Sequence, residues 1–298
     1  MKILLFGKNG QVGWELQRSL ALLGELIALD SQSIDYCGDL AHLEGVAQTI
    51  RDIAPDVIVN ASAYTAVDKA ESEPEKAYTI NALALGVLAI EAMQSGAWLV
   101  HFSTDYVFDG SGNKPWSESD CTNPLSVYGK TKLAGEQAIV ASGCKHLIFR
   151  TSWVYAARGV NFAKTMLKLS QDRDSLKVIN DQIGAPTGAD LLADVTAQAI
   201  RVALQRPQVG GLYHIAASGQ TSWYDYANFV IDFARQAGVE VKVKSEAIQP
   251  VPSSAFPTIA KRPLNSRLNT SKLQQTFGLS LPKWQSGVMR MLTEILEK

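Results

Sequence analysis

The sequence predicts a doubly wound α/β protein with a parallel sheet, Rossmann-like, and a smaller C-terminal lobe. Three observations carry this. Short apolar runs alternate with amphipathic segments through the first half, a glycine-rich turn follows the first run, and the alternation loosens after about Thr151. Right-handed crossovers between parallel strands put ligands at the carboxyl ends of the strands.

Lys2 to Phe6 is an apolar run suited to a strand covered on both faces. Gln11 to Leu23 carries Val12, Leu16, Leu20 and Leu23 at helical spacing, and Leu26 to Leu29 reads as a second strand ending at Asp30. His42 to Ile53 is a helix that Pro55 ends, followed by a strand over Asp56–Asn60 and a long helix over Asn81–Ser95. Trp98–Phe102 and His146–Arg150 are strands four and five, with a helix over Val127–Ala141 between them.

Later, Asn161–Ser170, Asp190–Leu204 and Trp223–Ala237 read as helices, and Lys177–Ile179 and Leu212–Ala216 as short strands. Pro250, Pro252, Pro257 and Pro263 punctuate a long irregular stretch. The expected organisation is a dinucleotide-binding domain over 1–155 and a substrate-binding lobe over 156–298, intertwined with it.

The turn Gly7-Lys8-Asn9-Gly10-Gln11-Val12-Gly13 joins the first strand to the first helix. Glycines at this spacing permit a tight turn, close backbone approach to a pyrophosphate and close helix–strand packing. The helix N-terminus adds free N–H groups and a positive dipole end. Asp30 closes the second strand, where a carboxylate can accept hydrogen bonds from an adenosine ribose and repel a 2′-phosphate, favouring NAD. A solvated strand-end aspartate is the alternative. Asp39-Leu40 could flank the adenine.

Tyr128 and Lys132 stand at i and i+4, on one face of a helix. A phenol moves protons near neutral pH only if its reluctance to ionise is overcome, and an ammonium one turn away does this by Coulomb attraction. Upstream, Ser103-Thr104-Asp105 ends the fourth strand, where a hydroxyl can bind a substrate carbonyl; Thr104 is the first choice and Ser103 the second.

The glycine turn, the strand-end Thr104 and the Tyr128/Lys132 pair resemble the extended short-chain dehydrogenase/reductase superfamily over nearly the whole chain. Ser103–Gly110, Asn60–Glu71 and Lys261-Arg262-Pro263 resemble its branch that reduces dTDP-linked 4-keto-6-deoxy sugars. The resemblance implies hydride delivery from NADH or NADPH to C4 of the sugar, with Tyr128 protonating the alkoxide. It places Gly7, Gly10, Gln11, Val12, Gly13, Asp30, Asp39, Leu40, Ala61, Ala63, Tyr64, Thr65, Tyr128 and Lys132 around the dinucleotide. Thr104, Asp105 and Trp153 fall to the sugar nucleotide. It also implies a homodimer and a Mg²⁺ ion at a dimer contact, with Glu15, Asp190 and Glu294 as candidate ligands.

Sugar-nucleotide dehydratases of this fold carry Asp-Glu after the threonine, whereas here Tyr106 follows Asp105, which favours reduction over elimination. An epimerase or dehydratase that keeps its cofactor bound is the first alternative. A non-catalytic dinucleotide-binding regulatory subunit, as serves methionine adenosyltransferase, is the second.

Trp153 follows the fifth strand and is expected at the substrate, and Arg262 has the planar fork that pairs with a pyrophosphate, or else is a surface arginine. Asn161 either binds a sugar hydroxyl or caps the helix beginning there. His101 and His146 lie within strands and read as core or edge residues.

The net charge of −1 offers no basic surface for nucleic acid. No run of about 18 apolar residues suggests a membrane partner. Three cysteines without ligand-like spacing suit free thiols in a cytoplasmic protein.

Overall fold

A computed structural model describes residues 1–296, leaving 297 and 298 of the expected lobe outside the described part. The elements of the first half are β1 Lys2–Phe6, α1 Gln11–Leu20, β2 Glu25–Leu29, α2 Leu43–Ile53, β3 Val57–Asn60, α3 Val67–Ala70, α4 Pro74–Tyr78, α5 Ala84–Ser95, β4 Trp98–Thr104, α6 Val127–Ser142 and β5 Lys145–Thr151. In the second half follow β6 Val154–Tyr155, α7 Phe162–Asp172, β7 Leu176–Ile179, β8 Ile183–Gly184, β9 Thr187–Gly188, α8 Ala189–Gln205, β10 Gly211–His214, β11 Thr221–Ser222, α9 Trp223–Gln236, β12 Ile248–Val251, α10 Ser271–Phe277 and α11 Trp284–Leu296.

Six strands form one sheet in the order β10-β5-β4-β3-β1-β2, and every pairing in it is parallel. Because β1 lies between β2 and β3, the chain leaves it in opposite directions on its two sides. A crevice therefore opens at the carboxyl ends of β1 and β3. Alternate side chains fill two layers. Ile3, Leu5, Val57 and Val59 meet Leu16 and Leu20 of α1 and Leu192 and Ile200 of α8. Leu4, Phe6, Ile58 and Leu99 meet Val46 and Ile50 of α2 and Leu85 and Leu88 of α5.

The lobe has its own core, built on Tyr226, Val230, Trp284 and Val288. It carries three two-stranded pairings, β11 with β8, β12 with β7 and β6 with β9. The second half also returns to the main sheet through α8 and β10, so the chain crosses between the two cores more than once.

Several elements differ from the sequence reading. The helix expected over Asn81–Ser95 begins at Pro74 and runs through a π-helical turn at Thr79–Leu83. The turn places fully buried Asn81 where its carboxamide receives Tyr64 N–H at 2.8 Å and donates to Tyr64 O and Thr131 Oγ1, both at 3.1 Å. Here a side chain bridges the loop after β3 to α6, a use typical of π-bulges.

The same run, Pro74–Ser95, is a 22-residue stretch apolar enough by composition to cross a membrane, which the sequence reading missed. Half of its most apolar window is buried within the protein, and Leu85 and Leu88 pack on the sheet. A core helix of this kind passes the same compositional test. The expected strand at Leu212–Ala216 occupies Gly211–His214, the proline-rich stretch contains β12, and α10 and α11 had no counterpart in the reading.

Candidate active site

The crevice at the switch point is a cavity of about 520 Å³. Its floor and one wall come from the loops after β1 and β3. Gly7 adopts φ +89°, and a Cβ there would lie 2.8 Å from Ala61 C and Ser62 N, so the two loops touch through bare backbone. A Cβ on Gly13 would come within 1.9 Å of Gly7 O, so α1 can start against the turn only because that residue lacks a side chain. Gly13 is thus a packing residue outside the cavity lining. Gly7, Gly10, Gln11, Val12, Ala61, Ala63 and Thr65 line it. This glycine-walled cradle beneath a helix N-terminus suits a pyrophosphate.

Besides Gly13, four expected cofactor residues lie outside the cavity lining. Leu40 is 2% exposed and packs in the core, so its side chain is closed to a ligand. The Asp39 carboxylate receives Ala41 N–H at 3.0 Å. Tyr64 packs beside Tyr128 and Val127 and donates its hydroxyl to Glu73 at 3.0 Å. The Asp30 carboxylate is already engaged: Asn9 Nδ2, Gln32 N–H and Ser33 Oγ all donate to it. Burial alone would raise its pKa, yet these hydrogen bonds and the Lys8 ammonium hold it below the usual carboxylate range. Lys8 Nζ in turn reaches Ser33 Oγ at 3.3 Å.

The opposite wall combines the end of β4, the start of α6 and the segment after β5. Ser126 caps α6 by accepting Gly129 N–H at 3.2 Å, and Glu71 accepts Val127 N–H at 2.8 Å. This fixes the turn that carries Tyr128, whose ring meets Tyr106 edge-on at 5.4 Å. Thr104, Asp105, Tyr128 and Lys132 all line the cavity. Thr104 Oγ1 donates to Asp105 Oδ1 at 3.2 Å, while Asp105 Oδ2, Ser103 Oγ, Thr151 Oγ1 and Ser152 Oγ are buried without a partner. Buried polar atoms left unpaired are costly, and four on one wall mark a surface made for a polar ligand.

Electrostatics here depart from the expectation of an acidified phenol. Burial pushes Tyr128 up to about 12, against an opposing pull from the Thr104 hydroxyl. Burial also takes Lys132 down to about 7, opposed by the Glu136 carboxylate, which Arg150 grips at 2.6 and 2.9 Å. The Lys132 amine is engaged away from the phenol, 2.6 Å from Phe102 O and 2.9 Å from His101 Nε2. His101 is therefore part of the site's buried support and more than the core residue the sequence suggested. Burial raises Asp105 to about 6.

The segment after β5 and the lobe together supply the roof. Trp153 takes a left-handed φ of +50°, strained for a bulky residue, and stacks on Trp223 with ring centroids 3.5 Å apart. Trp223 Nε1 donates to Gln182 Oε1 at 3.0 Å, and both residues line the cavity. The sequence reading passed over Trp223, Gln182, Ser152 and Ser266, for they come from scattered segments without a shared motif. Arg262 lines the cavity while pairing with Asp68 at 2.8 Å, an exposed ion pair worth at most about 1 kcal/mol that a ligand anion can replace. Asn161 caps α7 by accepting Lys164 N–H at 3.2 Å, and donates to Ala156 O at 2.7 Å and Gln11 Oε1 at 3.3 Å.

Within one chain the candidate magnesium ligands form no complete ion site. Glu15, Asp190 and Glu294 are close enough to raise the Glu15 pKa, although burial is the main cause. Asp190 is paired with Arg290 at 3.1 Å and Glu15 with Arg18 at 3.7 Å. Among the described residues no group of three acidic, histidine or cysteine side chains could hold an ion.

Comparison with known proteins matches residues 1–297 to the model of the RmlD substrate binding domain. A dTDP-4-dehydrorhamnose reductase of Escherichia coli K12 is 63% identical over 295 residues, covering 99% of this chain and 98% of its own length. Among solved structures, a dTDP-4-dehydrorhamnose reductase of Clostridium acetobutylicum superposes with a TM-score of 0.90 at 37% identity, both chains covered completely. Another, from Bacillus anthracis in complex with NADP, gives 0.87 at 33% identity, covering 98% of this chain and 99% of its own.

Proposed function

This chain belongs to the RmlD substrate binding domain family, and on that premise we propose that it is a dTDP-4-dehydrorhamnose reductase. It uses NADPH or NADH to reduce the C4 ketone of dTDP-4-dehydro-L-rhamnose to dTDP-L-rhamnose, the last step in making that sugar nucleotide. The observation that carries the reading is the meeting of Thr104, Tyr128, Lys132 and the glycine turn, from three separate segments, around one cavity.

Gly7, Gly10, Gln11, Val12, Ala61, Ala63 and Thr65 would hold the dinucleotide, and Tyr128 and Lys132 would stand at its nicotinamide end. When bound, the reduced nicotinamide supplies a hydride. Thr104 would turn its O–H from Asp105 to the ketone oxygen and orient it. Tyr128, its pKa raised to about 12, is protonated at neutral pH and gives that proton to the oxygen as charge develops there. The unpaired hydroxyls of Ser103, Thr151 and Ser152, with Asp105, receive the sugar's polar groups. Arg262 exchanges Asp68 for the substrate pyrophosphate, and the Trp153–Trp223 stack covers the sugar and excludes water. Beside Asp30, which favours a free ribose, stands Lys8, which favours a 2′-phosphate, so both cofactors are accepted.

Residues 1–155 serve mainly the dinucleotide and 156–298 mainly the sugar nucleotide. The protein works as a homodimer in the cytoplasm. The test is purified protein with dTDP-4-dehydrorhamnose and NADPH or NADH, followed at the nicotinamide absorbance. One cofactor oxidised per sugar reduced is expected. An unchanged absorbance, with the sugar epimerised or dehydrated, would replace the reductase by a cofactor-retaining enzyme of the same fold.

A further inference from the structure

Gly7 and Gly10 line the cavity, but the two side chains between them, Lys8 and Asn9, lie outside its lining and point towards the end of β2. The turn is tied to that strand because Gly7 N–H and Lys8 N–H both donate to Leu29 O, at 2.8 and 3.0 Å. Asn9 Nδ2 then donates to Asp30 Oδ2, and Lys8 Nζ reaches Ser33 Oγ at 3.3 Å. The lobe comes to the same place from the other side. Its loop over 156–161 lies against the start of α1, where Asn161 Nδ2 meets Gln11 Oε1 at 3.3 Å. A Cβ on Gly159 would stand 3.3 Å from Gln11 Cγ. This loop sets the Arg158 guanidinium 4.1 Å from the centre of the Trp14 ring, with Nη2 at 3.5 Å from Asn9 Oδ1. A guanidinium lying on an indole face is held in place while its edge N–H groups stay free to donate.

Two cations from different parts of the fold thus converge on Asn9, and each leans on a neutral side chain, Lys8 on Ser33 and Arg158 on Asn9. Neither belongs to an ion pair among the described residues. The carboxylate between them is occupied, since Asn9 takes one Asp30 oxygen and Gln32 N–H and Ser33 Oγ take the other. We propose that Arg158, Lys8 and Asn9 form a subsite for a phosphate monoester on the adenosine ribose, the 2′-phosphate that separates NADPH from NADH, with Arg158 as its specificity-determining residue. The proposal rests on the dinucleotide reading of the cavity and deepens it. A pyrophosphate has its own place at the glycine turn inside the cavity, whereas these three side chains stand beyond it, beside the strand end that faces the ribose. A phosphate monoester carries about two negative charges at neutral pH, and two cations offset its repulsion from Asp30. A free ribose leaves Arg158 on Trp14 and costs nothing, so NADH still binds.

The experiment is calorimetric titration of the full chain with NADPH, NADH, 2′,5′-ADP and 5′-ADP. Arg158→Ala should weaken NADPH and 2′,5′-ADP about tenfold or more, the worth of one charge-assisted contact, and leave NADH and 5′-ADP within about twofold. Lys8→Ala should show the same selectivity, and Arg158→Lys should recover part of the loss because the charge returns without the planar fork. NADH and 5′-ADP weakened as much as NADPH would move Arg158 to the pyrophosphate and overturn the assignment. Four unchanged affinities would make it a surface arginine and overturn it too. Selective binding as expected in a protein that oxidises no NADPH with the sugar would refute the reductase reading alone, and an active reductase whose NADPH affinity ignores Arg158 would refute this inference alone.

Discussion

The two sides of the cavity are made of different materials. The dinucleotide side is built on backbone: the loops after β1 and β3 touch through Gly7, Ala61 and Ser62, where a side chain on Gly7 would collide. The substrate side is side chain: Thr104, Tyr128, Trp153, Trp223 and Arg262 arrive from five segments and are held by stacking, capping and one exposed ion pair. A backbone site fails when geometry fails, so it tolerates few substitutions but needs no particular chemistry. A side-chain site can lose one member at a time, each with its own signature.

That contrast orders the expected effects. The largest belongs to the proton donor: Tyr128→Phe keeps the ring and its contact with Tyr106, and should lower kcat about 10²- to 10⁴-fold while NADPH still binds. Near-normal turnover would take Tyr128 out of the chemistry. On the backbone side, Gly13→Ala places a methyl 1.9 Å from Gly7 O and must move the turn. A loss of about 1.4 kcal/mol of contact already weakens NADPH binding about tenfold, measurable by fluorescence titration. Unaltered affinity would show that the turn is not the cradle. Trp223→Ala removes the support under Trp153 and should raise KM for the sugar nucleotide by about tenfold, leaving the Kd of NADPH alone. If NADPH binding suffered equally, the two sides would not be separable.

The contrast also explains what could be read from the sequence. The alternation of apolar runs and helices defined the parallel sheet because both its faces are covered, and the Gly7/Gly10/Gly13 spacing stood out because bare backbone leaves a compositional trace. Asn81, His101 and Trp223 left none. Their roles depend on partners 17, 31 and 41 residues away, which no local period encodes. Leu40 shows the same limit, since its place in the loop before α2 does not say that its side chain turns into the core. Burial defeated the simplest electrostatic argument as well. A lysine one turn from a tyrosine was expected to acidify it, but both groups are too deep for their charged forms, and the lysine finds His101 instead.

Two smaller effects sharpen the picture. Lys132 titrates at about 7 in the folded protein and near its ordinary 10.5 when unfolded, so between these values the unfolded chain holds more protons. This group therefore makes stability rise with pH from about 7 to 10.5, and Lys132→Met should flatten that slope in denaturant titrations and be more stable at pH 7. A steeper slope in the variant would mean that Lys132 is charged in the fold. Asp68→Asn should be smallest, changing stability by less than about 1 kcal/mol because the Arg262 pair is exposed. By freeing Arg262 it should lower, not raise, the KM for the sugar nucleotide.

The central claim is that a nicotinamide and a 4-keto sugar meet beside Tyr128. Its most direct test is a turnover with NADPH carrying deuterium at nicotinamide C4 on the transferred face, and NMR of the sugar product. One deuterium at sugar C4, in proportion to cofactor oxidised, is the predicted result. Deuterium that returns to the cofactor, or a product labelled at any other carbon, would contradict it.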